Sequence, residues 1–140
     1  MRARNAVLIS IAGLMLGASA GAHHSPAMLY DLGKQVTIEG VVTEFQMGNP
    51  HLRIYFEVER NGVREKWLAE GGSRTVLMHK GWTGKEVAPG DKVSVIGNPS
   101  RDGSKLVHVI YLVLPDGKRL FAEDFDPTTQ YDELRRKKQQ

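Results

Sequence analysis

The sequence contains no cysteine, and aromatic residues make up only 7% of its 140 residues. The absence of cysteine excludes disulfide frameworks, thiolate metal sites, cysteine nucleophiles and haem attached through thioether bonds. A metal site in this protein must therefore use histidine, carboxylate, amine, thioether or backbone ligands. The remaining composition, 41% hydrophobic and 25% charged, is typical of one globular domain, and the length leaves little room for a second.

The first 22 residues have the pattern of a secretory signal peptide. Arg2 and Arg4 precede an apolar run at 6–17, and small residues follow at 18–22. The apolar run is too short for a transmembrane helix, which needs about 20 residues. We therefore expect residues 1–22 to be cleaved, leaving a periplasmic or secreted protein without a stable membrane span.

The net charge of +3 is concentrated at the two ends of the chain. Without residues 1–22 the chain has 17 basic and 16 acidic residues, and four of the basic residues form the run at 135–138. Apart from that run the mature chain is slightly acidic, which argues against a nucleic-acid partner because such a partner requires a basic face. The polar stretch 122–140 is predicted to be a flexible tail.

From residue 36 onward apolar and polar residues alternate, as they do in half-buried strands. The alternation and the intervening turns predict strands at 36–45, 52–59, 63–69, 93–96 and 106–114. A helix of about two turns is predicted at 73–80, with Ser73 as its N-cap.

The order β-β-β-α-β-β is that of an OB-fold, so the fold class is all-β with one short helix. We predict a five-stranded, OB-like small barrel with an N-terminal extension over residues 23–121. The alternatives are an SH3-like barrel and a fragment of a β-sandwich.

Three of the five histidines are candidate metal ligands, namely His23, His24 and His51. Cleavage after Ala22 gives His23 a free α-amino nitrogen beside its ring, and His51 in the Asn-Pro-His turn adds a third nitrogen. Such a nitrogen-rich set suits Cu(II) and resembles the histidine brace of exported copper proteins, with His24 as the substitute ligand. Cleavage after Ala20 instead predicts a square-planar site that uses the amino group, two backbone amides and the His23 ring, without His51.

Two further sets of residues are weaker candidates. Met28 and Met47 carry thioether sulfurs, which Cu(I) accepts, although methionine more often fills a core. A ligand or partner face on the barrel is predicted from one set of side chains: Arg53, Tyr55, Trp67 and Trp82. No Ser-His-Asp spacing and no glycine-rich phosphate loop is found, so neither an enzymatic activity nor a catalytic residue is predicted.

Several short motifs occur together along the mature chain. They are Ala22-His23-His24-Ser25, Ala27-Met28 with Asp31, VTIEGVVTEF at 36–45, Asn49-Pro50-His51, Glu70-Gly71-Gly72-Ser73, Gly81-Trp82, Pro89-Gly90-Asp91 and Arg101-Asp102-Gly103. In this combination the sequence resembles a family of small exported bacterial proteins that begin with His-His-Ser after the signal peptide and are classed as a domain of unknown function. The resemblance implies a periplasmic, OB-like β-barrel and no assigned activity.

These observations predict an exported, non-enzymatic binding protein with a copper site formed by His23 and His51. The alternative is a metal-independent module of the cell envelope that binds a small ligand or another envelope protein. In that interpretation the histidines are incidental. The sequence leaves the oligomeric state open.

Overall fold

The computed structural model describes residues 26–122. The predicted signal peptide, the candidate ligands His23 and His24, and the predicted tail beyond residue 122 lie outside the described residues. None of the helices within the described range has the length and apolar character needed to cross a bilayer.

Six strands and two short helices make up residues 26–122. Their bounds are α1 (Pro26–Leu29), β1 (Val36–Met47), β2 (Leu52–Arg60), β3 (Val63–Gly71), α2 (Arg74–His79), β4 (Lys92–Pro99), β5 (Leu106–Val113) and β6 (Arg119–Phe121). The order from β1 to β5, with α2 between β3 and β4, agrees with the sequence prediction. The sequence pattern does not predict α1 or β6.

The barrel is organised around β1, which takes part in two pairings. Its first half pairs with β4 and its second half with β2, and Val41 pairs with both neighbours. β2 also pairs with β3, and β4 with β5. All four of these pairings are antiparallel. A parallel pairing between β3 and β5, with Glu70 opposite His108, closes the five strands. The predicted OB-like barrel is therefore confirmed.

The barrel interior is filled by alternate residues of the strands, because successive side chains of a strand point to opposite faces. In β2 this places Leu52, Ile54, Phe56 and Val58 in the core, while the residues between them stay partly exposed. The same alternation had identified these strands in the sequence.

The helix α2 covers the end of the barrel where β1 turns into β2. The Ser73 hydroxyl accepts a hydrogen bond from the Val76 N–H at 3.3 Å, as expected for the predicted N-cap. Leu77 of this helix is fully buried, and the Arg74 N–H donates to the Gly48 carbonyl oxygen at 2.9 Å. The helix is thus attached to the loop at 48–51, which carries His51.

The described chain ends inside the barrel structure. β6 pairs antiparallel with β5, and Ala122, which the sequence assigns to the tail, is fully buried. The Ala122 carbonyl oxygen accepts a hydrogen bond from the Gly72 N–H at 2.7 Å. The barrel domain therefore continues through Ala122. Gly71 and Gly72 have no side chains, so Ala122 packs directly against their backbone.

Candidate functional site

His51 lies at the end of the loop between β1 and β2, and its side chain is exposed. The ring atom Nδ1 is 3.2 Å from the carbonyl oxygen of Gly71. A carbonyl oxygen can only accept a hydrogen bond, so Nδ1 must be the protonated nitrogen. In the neutral ring, Nε2 then carries the free lone pair. This arrangement makes His51 a fixed, solvent-accessible nitrogen donor at the end of the barrel.

The segment before β1, residues 26–35, is called the N-terminal arm below. Its backbone follows the loop between β4 and β5: the Asp31 N–H donates to the Pro99 carbonyl and the Arg101 N–H to the Leu29 carbonyl, each at 2.9 Å. The guanidinium Nε of Arg101 also donates to the Ala27 carbonyl at 2.9 Å. The arm is therefore attached to a part of the chain about 70 residues away in sequence.

A second charged contact lies within the arm itself. The Nζ of Lys34 is 3.2 Å from the carboxylate of Asp31, and this hydrogen bond is the main reason why the pKa of Asp31 is lowered. Because the Lys34 side chain is 73% exposed, the pair contributes little to stability.

Tyr30 fixes the arm to the outer surface of the barrel. Its side chain is 3% exposed, and its ring centroid is 5.1 Å from that of His108 on β5. The Tyr30 hydroxyl donates to one carboxylate oxygen of Glu70 at 3.0 Å, and the Nε of Arg53 donates to the other at 3.2 Å. These four side chains form what we call the anchor cluster.

The anchor cluster extends across three strands toward His51. Arg53 is opposite Glu70 in the pairing of β2 with β3, and Glu70 is opposite His108 in the pairing of β3 with β5. Arg53 follows His51 by two residues, and the His51 ring contacts the carbonyl of the residue after Glu70. The Tyr30 side chain and the His51 ring therefore contact neighbouring residues of β3, whereas the start of the arm is bonded to Arg101.

The two methionine candidates have different environments. Met28 is 71% exposed on α1, whereas Met47 at the end of β1 packs against the core. Within residues 26–122, no three histidine, aspartate or glutamate side chains come close enough together to hold a metal ion. A metal site that includes His51 would therefore need ligands of another type or from outside this range.

The four residues proposed as a ligand or partner face do not share one face. Arg53 and Tyr55 alternate with the core residues of β2, whereas Trp67 pairs across the sheet with the buried Phe56 and so lies on the opposite side. Trp82 is 4% exposed, and its indole N–H donates to the Phe121 carbonyl at 2.9 Å. Two features separate these four side chains, namely the alternation of side chains in β2 and the burial of Trp82 after α2.

An open groove of about 650 Å³ on the outer side of β1 was not predicted from the sequence. Val41 contributes an apolar surface, and Glu39 and Glu57 lie beside it with Lys92. The residues that line the groove come from several strands. The outward positions of the glutamates in the alternation were therefore the only sequence signal for this groove. The anchor cluster was missed for a related reason, since Tyr30 and Glu70 are 40 residues apart.

Comparison with curated proteins found no match to this sequence. A family model described as "Family of unknown function (DUF6152)" matches residues 12–108. The matched range includes His23, His24 and His51, and it extends from the predicted signal peptide to β5. Because it covers well over half of the sequence, the chain belongs to the DUF6152 family, a family of unknown function.

Proposed function

We propose that this protein is an exported binding protein that holds Cu(II) with its mature N-terminus and His51. The observation that carries the proposal is the state of the His51 ring. Its Nδ1 is held by the Gly71 carbonyl oxygen, while the side chain is exposed and Nε2 is left as the donor. Metal-binding histidines typically have this arrangement, with one ring nitrogen bonded to a carbonyl or carboxylate and the other bonded to the metal.

The position of the N-terminal arm supports a shared site. Only Ser25 and His24 separate His23 from Pro26, where the described arm begins. Three extended residues span at most about 10 Å. The support is that Tyr30 of the arm bonds to Glu70, the residue before the Gly71 whose carbonyl oxygen holds His51.

The chemistry of the proposed ligands favours copper. An α-amino group has a reference pKa of about 7.7–8.0, so Cu(II) displaces its proton at little cost near neutral pH. The amino nitrogen and ring of His23, with the ring of His51, give three nitrogen ligands, which suit Cu(II) better than Mg²⁺ or Ca²⁺. His24 is the substitute ligand if the ring of His23 does not bind.

Export and processing are part of the proposal. The charged, apolar and small-residue regions within residues 1–22 support cleavage by a signal peptidase. Cleavage after Ala22 gives the site that includes His51, whereas cleavage after Ala20 favours a site without it. The mass of the secreted protein distinguishes these two products directly.

Titration of the correctly processed protein with Cu(II), in competition with a chromophoric chelator, tests the proposal. We expect one tight site, and we expect His51→Ala to raise its Kd by at least about tenfold, since a ligand is lost and even the loss of an outer-shell partner costs about 10–100-fold. One extra residue before His23 places His24 third in the chain, where the amino group, two backbone amides and its ring form a site without His51, so His51→Ala should no longer change the affinity of the extended protein. The matched control is His79→Ala, because His79 is an exposed histidine on α2. If the correctly processed His51→Ala protein binds Cu(II) as tightly as the wild type, the proposal is refuted.

The groove on β1 favours a second candidate function, which is metal-independent binding of a small ligand or an envelope protein. Val41 is 37% exposed there, and the guanidinium of Arg64 is 3.9 Å from the carboxylate of Glu57. The groove thus combines an apolar surface with charges of both signs. A folded, correctly processed protein that lacks a tight Cu(II) site would favour this second function.

A further inference from the structure

We infer that the groove on β1 binds an extended, basic segment of another protein, which pairs as an added strand with the open edge of β1 at Thr37 and Glu39. The inference gives the second candidate function a class of partner, so it rests on that function and not on the copper site. The backbone groups of two described strands and the charges beside them support it.

The first half of β1 has one paired edge and one open edge. Successive residues of a strand direct their N–H and C=O groups to opposite edges. The Val42 N–H donates to the Asp91 carbonyl oxygen at 2.9 Å, and the Val42 carbonyl oxygen accepts from the Gly90 N–H at 2.8 Å. The backbone groups of the even-numbered residues before Val42 therefore face β4. Those of Thr37 and Glu39 point to the other edge, toward β2.

Within residues 26–122, no strand pairs with this other edge before Val41. The pairing of β1 with β2 starts there, with Val41 opposite Glu57, and residues 36–40 pair with β4 alone. Thr37 and Glu39 are both exposed. Their outward N–H and C=O groups are therefore available to a further strand, as at the edge of any open sheet.

β2 has a matching open edge on the far side of the groove. Arg60 and Val63 flank the two-residue turn Asn61-Gly62 and bond to each other, so the backbone groups of Arg60 face β3. By the same alternation, the backbone groups of Glu59 point away from β3 and toward β1. Glu39 and Glu59 both line the groove. The groove thus separates two strand edges that diverge beyond the pairing of Val41.

The side chains of the groove favour a basic partner. Its charged lining residues are Glu39, Glu57, Glu59, Arg64 and Lys92. Glu57 and Arg64 are 3.9 Å apart and balance each other, whereas the other three form no salt bridge within the described range. Two carboxylates are therefore left against one ammonium group. Val41, which is 37% exposed, adds an apolar contact. A strand that alternates basic and apolar residues complements both features.

The charge of Glu39 also argues for another protein over a second copy of this chain. Two copies that paired through this edge would bring the Glu39 side chains of both close together. Like charges across a strand pair are destabilising, and charged side chains on an edge are a common protection against self-association. In strand addition to a different protein, main-chain hydrogen bonds provide affinity, and alternate side chains provide specificity.

A fluorescein-labelled peptide in which lysine and valine alternate over about seven residues, a common strand length, tests the inference. It is titrated with the processed protein in EDTA, so that copper plays no part. We expect the peptide to bind, and we expect a peptide with glutamate in place of lysine to bind at least about tenfold more weakly.

Two substitutions in β1 separate the backbone contribution from the charge. Thr37→Pro removes an N–H from the open edge and leaves the bonds to β4, and Thr37→Val is its matched control because it keeps the N–H. Glu39→Lys reverses a charge in the groove. Its matched control is Glu44→Lys, because Glu44 is an exposed glutamate of β1 that does not line this groove.

We expect the Kd of the lysine peptide to rise at least about tenfold in Thr37→Pro, since a carbonyl of the bound peptide loses its donor. Glu39→Lys should raise it about three- to tenfold at low salt and less at high salt. Both control proteins should bind as the wild type does.

Amide hydrogen exchange of the wild type gives a direct readout of the added strand. In the free protein, the Thr37 and Glu39 amides should exchange faster than the Ile38 amide, which faces β4. With free peptide at about ten times its Kd, exchange at Thr37 and Glu39 should slow about tenfold. If Thr37→Pro does not fold, this measurement still decides the question.

Several results would overturn the inference, and they are distinguishable. If Glu39→Lys weakens binding but Thr37→Pro binds like Thr37→Val, the groove attracts the peptide by charge alone, and the second candidate function stands without strand addition. If the peptide does not bind, or binds every variant equally, the groove is not a peptide site. The copper proposal is then unaffected, because these substitutions do not involve His51.

Two further results would assign the groove to a different occupant and so contradict the inference. A dimer in sedimentation that Thr37→Pro dissociates would mean that a second copy fills it. Tighter peptide binding after the basic run at 135–138 is replaced by glutamine would mean that this chain's own basic run competes for the groove.

Discussion

Asp102 shows how a single side chain organises the loop that holds the N-terminal arm. The Ser100 hydroxyl donates to its carboxylate at 2.6 Å and the Ser104 N–H at 2.9 Å, and these bonds lower its pKa from 3.8 to about 2. Arg101, between Ser100 and Asp102, is the residue that bonds to the backbone of the arm. The ionised form of Asp102 therefore stabilises a loop on which the arm depends.

Replacing Asp102 by asparagine should reveal this contribution as a dependence on pH. Because folding lowers the pKa of Asp102, its ionised form stabilises the folded state above the unfolded pKa, and this stabilisation is lost as the pH falls toward about 2. We expect Asp102→Asn to unfold at a lower temperature than the wild type near neutral pH. The two midpoints should converge between about pH 4 and pH 2. A difference that is the same at every pH would contradict this assignment.

Individual site residues differ in how far the sequence identified them. His51 was identifiable because its type and its place in an Asn-Pro-His turn are local features. The Tyr30–Glu70 contact was not, since it joins two residues that only the closed barrel brings together. Trp82 was assigned to a surface face, but it is buried because the chain after α2 folds back toward Phe121.

At the scale of elements, β1 determines the shape of the barrel because it changes partners along its length. Gly40 lies at this change, opposite Val93 of β4. A Cβ at Gly40 would be 2.6 Å from both the Glu57 carbonyl oxygen and the ring of Phe56. Close approach of the backbone, rather than a special backbone angle, therefore explains the glycine.

Substitution of Gly40 tests this close approach. We expect Gly40→Ala to lower the free energy of unfolding by about 1–3 kcal/mol, because the added methyl group forces neighbouring atoms apart. Gly33→Ala is the matched control: its new Cβ would meet only Asp31 Oδ1, at 3.4 Å. That change should stay within about 1 kcal/mol of the wild type. Urea unfolding measures both values, and equal effects would show that β1 is not tightly packed at Gly40.

Most elements were identifiable in the sequence because their signals are local. Alternation identified the five long strands, and Ser73 identified the start of α2. β6 was not identified because three residues are too few for a pattern, and its position depends on pairing with β5. The parallel pairing of β3 with β5 has no local signal in the sequence. It could be predicted only from the assignment of the whole chain to an OB-fold.

At the scale of the whole molecule, the barrel and the arm form one binding unit in the proposed function. Barrel closure places Arg53, Glu70 and His108 side by side, and Tyr30 binds the arm to them. A metal that joins the mature N-terminus to His51 would connect the arm to the barrel a second time. Binding should therefore stabilise the folded protein.

Thermal unfolding with and without Cu(II) measures this stabilisation. A ligand that binds only the folded state adds about 2.7 kcal/mol when its free concentration is 100 times its Kd. We expect the midpoint of the processed wild type to rise accordingly and to return to its original value after addition of EDTA. His51→Ala should show a much smaller rise at the same copper concentration. An equal rise in both proteins would mean that copper stabilises the fold from another site.

The most direct measurement is the EPR spectrum of the correctly processed protein loaded with one equivalent of Cu(II). We expect a single species with hyperfine structure from three nitrogens, which are the amino group and ring of His23 and the ring of His51. His51→Ala should remove one nitrogen from that pattern, and an extra residue before His23 should change it as well. Identical spectra from the wild type, His51→Ala and the extended protein would contradict the proposal that His51 and the mature N-terminus share one copper ion.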